Sequence, residues 1–194
     1  MGSDGSLDST TASTVPGDEQ LLLAFQRGDR SALVAIVERH EDRLARIAYR
    51  IVGCRNEAED VRHAVFVRFL STIDRSQQVE NVGAWLTRCT VNEGITRVRQ
   101  RERESRTRAE LVRLARTARE ATPLERLQDD ESREQLSVAL AKLSPDERAL
   151  VSLRFDEGLT FREIAEVLER SASTVKSQLS QAIARLRELL GGRH

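Results

Sequence analysis

Ser144 to Leu190 reads SPDERALVSLRFDEGLTFREIAEVLERSASTVKSQLSQAIARLRELL, and its side-chain chemistry marks where helices begin. Ser144, Pro145 and Glu147 place a hydroxyl at an N-cap, a proline at N1 where no amide hydrogen is needed, and a carboxylate at N3 that reaches back to the cap amide. Thr160 and Glu163 repeat that box, and Ser171 offers a further cap. From there Val175, Leu179, Ala182, Leu186 and Leu189 fall on one stripe at helical spacing. The pattern predicts a short helix, a tight turn and a longer helix. In a helix-turn-helix of this kind the second helix enters the DNA major groove with its N-terminal residues toward the base edges. Its outward arc carries Ser173, Thr174, Lys176, Ser177, Gln178 and Gln181. Glutamine pairs bidentately with adenine, and Lys176 can reach a phosphate or a guanine. Arg162 and Arg185 suit phosphate contacts.

Working outward, the 194-residue chain has zero formal net charge, so nucleic-acid binding rests on local clustering. Lys142 and Lys176 are the only lysines. Cys54 and Cys89 lack any C-x-x-C or His at ligand spacing, which argues against a zinc site or a disulfide framework and for two reduced core thiols. No apolar run approaches the roughly 20 residues of a membrane span, and no signal peptide precedes the first helix. These features predict a soluble cytoplasmic protein. No Ser/His/Asp set, paired-carboxylate site or glycine-rich phosphate loop stands out, so neither an enzyme nor a cofactor or metal is expected.

Residues 1–17 are Ser, Thr, Gly and Asp with little apolar content, and are expected to be disordered. Met1-Gly2 with Ser6 formally fits a myristoylation signal, but the segment is read as a flexible start rather than a lipidation site. Asp18 is the expected cap of a first helix with Leu21, Leu22 and Phe25, ended by Gly28. Asp29 caps a long second helix with Leu33, Ile36, Val37, Leu44, Ile47, Ala48 and Ile51 on one face, closed by Gly53. Asn56 is the expected cap of a third, with Val61, Val65, Phe66, Phe69 and Leu70 on one side and Glu57, Asp60, Arg62 and His63 on the other. Ser71 to Gln78 reads as a loop. A fourth helix starts near Asn81 and carries Val82, Trp85, Leu86, Cys89, Ile95 and Val98.

Between Arg97 and Arg119 there are nine arginines against three glutamates, which reads as a solvated linker or as a cationic strip beside a polyanion. The fourth helix is expected to run into this segment and fray before Pro123. A further helix with Leu136, Ala139, Leu140 and Leu143 inward then leads to the Ser144 cap. The expected architecture is all-α: a four-helix domain over 18–101, a basic linker over 102–122 and a helix-turn-helix domain over 123–194.

Glu57-Ala58-Glu59-Asp60-Val61 followed by Phe66, then Trp85-Leu86 with Arg88 and Asn92, then Arg99 and Arg101, precede Thr174-Val175-Lys176-Ser177 and Leu179 in the last helix. In this order they resemble a bacterial RNA polymerase sigma factor of the extracytoplasmic-function (ECF) group, group IV of the sigma-70 family. Such proteins consist of sigma regions 2 and 4 joined by a linker. The resemblance implies that Glu57, Glu59, Asp60, Arg62, His63 and Phe66 dock on core RNA polymerase, at the clamp helices of its largest subunit, with Asp60 accepting from a partner arginine. It implies that Trp85, Arg88, Asn92, Arg99 and Arg101 serve the −10 promoter element, where a base is flipped from the stack and phosphates are gripped. The last helix serves the −35 element, the flap of the second-largest polymerase subunit supports it, and an anti-sigma factor is an expected partner.

Three departures from the family pattern stand out. His63 and Ala64 replace a glutamine and an acid, Gln178 and Gln181 stand where arginine is frequent, and Glu169 occupies a turn where glycine is common. If that turn needs a positive φ, the glutamate costs about 1 kcal/mol. The helix-turn-helix by itself also fits a LuxR-type regulator. A stand-alone DNA-binding regulator and a degenerate sigma relative that sequesters a partner are therefore the alternative readings.

Overall fold

The computed structural model describes residues 16–74, 79–115 and 131–191. The expectations for the tail up to residue 15, for residues 75–78 and for the stretch around Pro123 lie outside these residues. Eight α-helices occupy the described chain: α1 (Asp18–Gln26), α2 (Arg30–Val52), α3 (Arg55–Asp74), α4 (Val82–Ala115), α5 (Glu131–Ala141), α6 (Pro145–Val151), α7 (Phe161–Leu168) and α8 (Ala172–Gly191). A π-helical turn, Ser152–Asp156, continues α6. No strand occurs among the described residues, so the fold is all-α as expected. No helix among them is long and apolar enough to cross a membrane.

Several boundaries follow the chemistry read from the sequence. The Asp29 carboxylate accepts from Ser31 N at 2.9 Å, and Gly53 ends α2 at φ 75°, a left-handed conformation that needs no Cβ. Asn81 Oδ1 accepts from Ala84 N at 2.9 Å and opens α4. The boxes at Ser144 and Thr160 are both closed, with Ser144 N donating to Glu147 and Thr160 N to Glu163, each at 2.7 Å. Ser171 Oγ accepts from Thr174 N at 3.1 Å.

Other boundaries differ. The cap of α1 is Gly17, because the Asp18 carboxylate is drawn to Arg39 Nη1 at 2.6 Å and His40 Nε2 at 2.7 Å on α2. In α3, Asn56 is already inside the first turn, since Ala58 N donates to Cys54 O at 3.0 Å. Ser71 to Asp74, expected in a loop, form the last turn of α3, where the hydroxyls of Ser71 and Thr72 donate to carbonyls four residues back. Leu136, expected inward on α5, is exposed, while Ala139 and Leu143 are buried. Helix α4 runs on to Ala115 through the arginine-rich segment, where Arg, Gln and Glu are good helix formers and no Gly or Pro intervenes.

Helix α2 lies against α1, α3 and α4. Its stripe of Ile36, Leu44, Ile47, Ala48 and Ile51 is wholly buried, meeting Val61, Val65 and Phe69 of α3 and Leu86, Val91 and Val98 of α4. Helices α2 and α4 approach closely at Gly94, where an added Cβ would lie 3.1 Å from Ile51 Cγ2. Thr87 and Thr90, fully buried, donate to the carbonyls of Gly83 and Leu86 at 2.7 and 2.8 Å, so neither hydroxyl is left unsatisfied. In the C-terminal half α8 packs on α5, α6 and α7, burying Val175, Leu179 and Ala182 against Leu150, Leu153 and Ile164. The sequence reading treats the halves as separate domains, yet α6 and the π turn rest on α2, α6 and α7 rest on α4, and the buried apolar residues of both form one cluster.

The Thr160 box gives a stability test. Hydrogen bonds from the Thr160 amide and hydroxyl hold the Glu163 carboxyl below its ordinary value. A depressed folded value means that this stabilisation is present above the unfolded value and disappears as pH falls through the folded one. Thr160→Ala is expected to cost about 1 kcal/mol at neutral pH, read by urea denaturation, and the cost should shrink as the solution is acidified below about pH 4.

Candidate nucleic-acid and polymerase interfaces

Helix α8 begins with a polar arc. Ser173, Thr174, Lys176, Ser177 and Gln181 are exposed, while Val175, Leu179 and Ala182 anchor the opposite side. The Ser171 cap orients the first turn, its hydroxyl lying 2.7 Å from Thr174 Oγ1. Gln178 is half-buried, and its Oε1 accepts from Arg170 Nη1 at 2.9 Å, so the carboxamide oxygen is engaged within the chain. Arg162 is exposed beside Glu166, 3.4 Å away, and Arg185 stands 3.4 Å from Glu147. The turn between α7 and α8 passes through Glu169 at φ 53°, so the glutamate does carry the left-handed conformation considered from the sequence.

The residues expected at the −10 element line α4. Trp85 is half-buried, with its ring 5.7 Å from that of Phe69, which makes it part of the packing between α3 and α4. Asn92 is exposed on the next turns. Arg88 is paired with Glu169 of the helix-turn-helix turn, and Arg99 donates to Asp146 at 2.8 Å. Arg101 donates to Glu57 at 2.9 Å and to the Val52 carbonyl at 3.4 Å, which joins a residue expected on DNA to one expected on polymerase.

On α3, Glu59 and His63 are exposed, and Phe66 is half-buried against the core. Asp60, two-thirds exposed, accepts from Arg97 at 3.2 Å, and Arg62 donates to Glu41 at 2.9 Å. An internal arginine therefore already meets the carboxylate expected to receive a partner's. Sequence reasoning missed Asp146, Asp156, Glu157 and Arg170, all of which contact functional side chains or the other half of the molecule. Their partners are distant in sequence, so no local pattern marks them.

Neither cysteine is bonded, and burial pushes the Cys89 thiol up, away from a reactive thiolate. Burial, and then the Arg101 guanidinium nearby, lower Arg148. Among the described residues no group of three or more His, Cys, Asp or Glu is placed to hold a metal.

A helix-turn-helix with an exposed polar first turn is thus held against a helical domain that carries an arginine-lined helix. Residues 36–104 match the family described as sigma-70 region 2, and residues 139–188 match sigma-70 region 4. The chain is 33% identical over 84% of its length to the ECF RNA polymerase sigma factor SigE of Mycolicibacterium smegmatis, spanning 64% of that relative. It is 34% identical over 81% of its length to the RNA polymerase sigma-E factor of Streptomyces avermitilis, of which it spans 84%. With SigW of Bacillus subtilis it shares 26% identity over 85% of its length, and 92% of that relative. In fold it is similar to CnrH, solved with the cytosolic domain of CnrY, at a TM-score of 0.62 and 23% identity, covering 91% of this chain and 99% of that one. The sigma factor RpoE of Bartonella quintana, solved with the anti-sigma factor NepR, gives a TM-score of 0.60 at 23% identity, covering 85% of this chain and 98% of that one. The chain belongs to the ECF sigma factors of the sigma-70 family, non-enzymatic proteins that direct promoter-specific transcription initiation.

Proposed function

We propose that this chain binds core RNA polymerase and directs it to promoters through both halves, with α4 serving the −10 element and α8 the −35 element. The observation that carries this reading is the order of regions 2 and 4 on one chain, with the exposed arc from Ser173 to Gln181 at the start of the second helix of the turn. Ser173, Thr174, Lys176, Ser177 and Gln181 face the base edges, and Arg162 and Arg185 hold phosphates. Arg88, Asn92, Arg99 and Arg101 grip the strand opened at the −10 element, with Trp85 supporting the helix that presents them. Glu59 and Asp60, helped by Glu57, Arg62, His63 and Phe66, dock on the clamp helices of the largest polymerase subunit, and the flap of the second-largest supports the C-terminal half. Since His63 and Ala64 add no acid, Glu59 and Asp60 carry most of that docking.

Because two similarly folded proteins are described with partners, one of them an anti-sigma factor, an anti-sigma factor is the expected regulator. The protein acts in the cytoplasm, on the nucleoid when engaged. Run-off transcription with purified core polymerase, across the DNA upstream of the protein's own gene, tests the function. Specific initiation supports it, and operator binding that ignores added core would point to a stand-alone regulator. Asp60→Ala should weaken assembly with core about tenfold without altering promoter choice. Unaltered assembly would remove α3 as the docking face.

A further inference from the structure

Helices α3 and α4 run antiparallel, and charge laces the seam between them. Glu57 on α3 accepts from Arg101 on α4 at 2.9 Å, and Asp60 accepts from Arg97 at 3.2 Å. In each pair the acid stands on α3 and the arginine on α4. Further along, the rings of Phe69 and Trp85 meet at 5.7 Å. The register of these contacts brings Arg68 opposite Cys89, and there the pattern breaks, because arginine faces arginine. Burial raises the Cys89 thiol, while the charges of Arg68 and then Arg88 act in the opposite direction, so both guanidiniums bear on one sulfur.

Arg88 has Glu169 beside it, but among the ion pairs of the described residues no acid stands against Arg68, which is exposed. An acid at this position would have continued the series begun by Glu57 and Asp60. Two like charges on facing helices repel, and an anion between them removes the penalty. Helix α4 also begins at this end of the seam, capped by Asn81, and the start of a long helix adds positive potential. Arg68 points away from the polymerase-facing stripe of α3. It lies about 140° round the helix from His63, toward α4, and about 12 Å along the axis from Asp60.

We propose that Arg68 is a further DNA-contacting residue, which together with Arg88 brackets a phosphate of the opened strand. Helix α3 then docks on polymerase with its first turns and serves promoter opening with its later ones. This rests on the assignment of Trp85, Arg88 and Asn92 to the −10 element. A seam lined by guanidiniums tracks a backbone without reading its bases, and the strand that Arg88 grips passes beside Arg68.

The test uses the full chain assembled on core polymerase, with a fluorescent single strand from a promoter at which wild type initiates and the duplex of the same sequence for comparison. Arg68→Ala should weaken binding of the single strand about fivefold and lower the slope of log affinity against log salt by about 0.7, the share of one phosphate. Arg68→Lys should keep the slope, since a point charge still meets the phosphate. In both variants assembly with core, and helicity by circular dichroism, should be unchanged. Combined with Arg88→Ala, the loss should fall short of the product of the separate losses, because both residues hold one phosphate. An unchanged salt slope in Arg68→Ala overturns the proposal, as does an equal loss on the duplex. Loss of core assembly would show that Arg68 meets polymerase instead. If wild type does not assemble with core, the sigma reading fails, and the same titration of a single strand with the chain alone still decides the role of Arg68.

Discussion

Lys176→Ala combined with Gln178→Ala is expected to lower transcription from a −35-dependent promoter by one to three orders of magnitude while leaving assembly with core unchanged. A well-placed contact to a base edge is worth about 1–3 kcal/mol, roughly 5- to 150-fold; Lys176 supplies one such contact, and Gln178 adds a smaller one because Arg170 must first release it. Gln178 differs from Lys176 in the free chain, because its carboxamide is occupied by Arg170. The single Gln178→Ala variant thus frees Arg170 as well as deleting a reader, and its loss should be the smaller of the two. Run-off transcription on templates with intact and scrambled −35 sequences measures the effect. Variants that lose core binding but keep −35 discrimination would show that α8 has another role.

The second large effect concerns Leu86→Ala. This side chain is fully buried on α4, one residue from Trp85 and two from Arg88. Truncation removes its transfer energy and leaves a cavity, costing about 3 kcal/mol, or roughly 6–12 °C in melting temperature for a chain of this size. The cost reaches function, because a loosened α4 no longer fixes the guanidiniums that flank the buried stripe. Loss of promoter opening should therefore accompany the fall in melting temperature measured by calorimetry. An undiminished melting temperature would mean that the core repacks around the gap.

What the sequence made legible was local. The hydroxyl caps at Ser144, Thr160 and Ser171, the glycine closing α2 and the buried stripe of α8 each depend on residues within a few positions of one another. Asp18 failed as a cap because its carboxylate has better partners 21 and 22 residues away in Arg39 and His40. Leu136 failed because the buried contact is made by Ala139 on α5 and by Leu143 just beyond its end, without it. The contact between the halves was not legible either. An apolar stripe on α6 looks the same whether it covers α8 alone or α2 as well. The candidate site behaved similarly: residue types on α4 and α8 pointed to DNA, but their present partners, 47 residues away for Arg99 and 81 for Arg88, left no mark in the local pattern.

Helix α4 and the chain that follows it give the contact between the halves a further property. Seventeen residues of α4 lie beyond Val98, an arm of about 25 Å at 1.5 Å per residue, and fifteen more residues separate Ala115 from Glu131. Parting the halves is thus never dissociation, because a covalent tether of this kind keeps each at an effective concentration that reaches the millimolar range for short linkers. Tethered halves need less contact to stay together than two separate molecules would. A polymerase that engages one half first would hold the other near its promoter site in the same way, so the second recognition event becomes intramolecular.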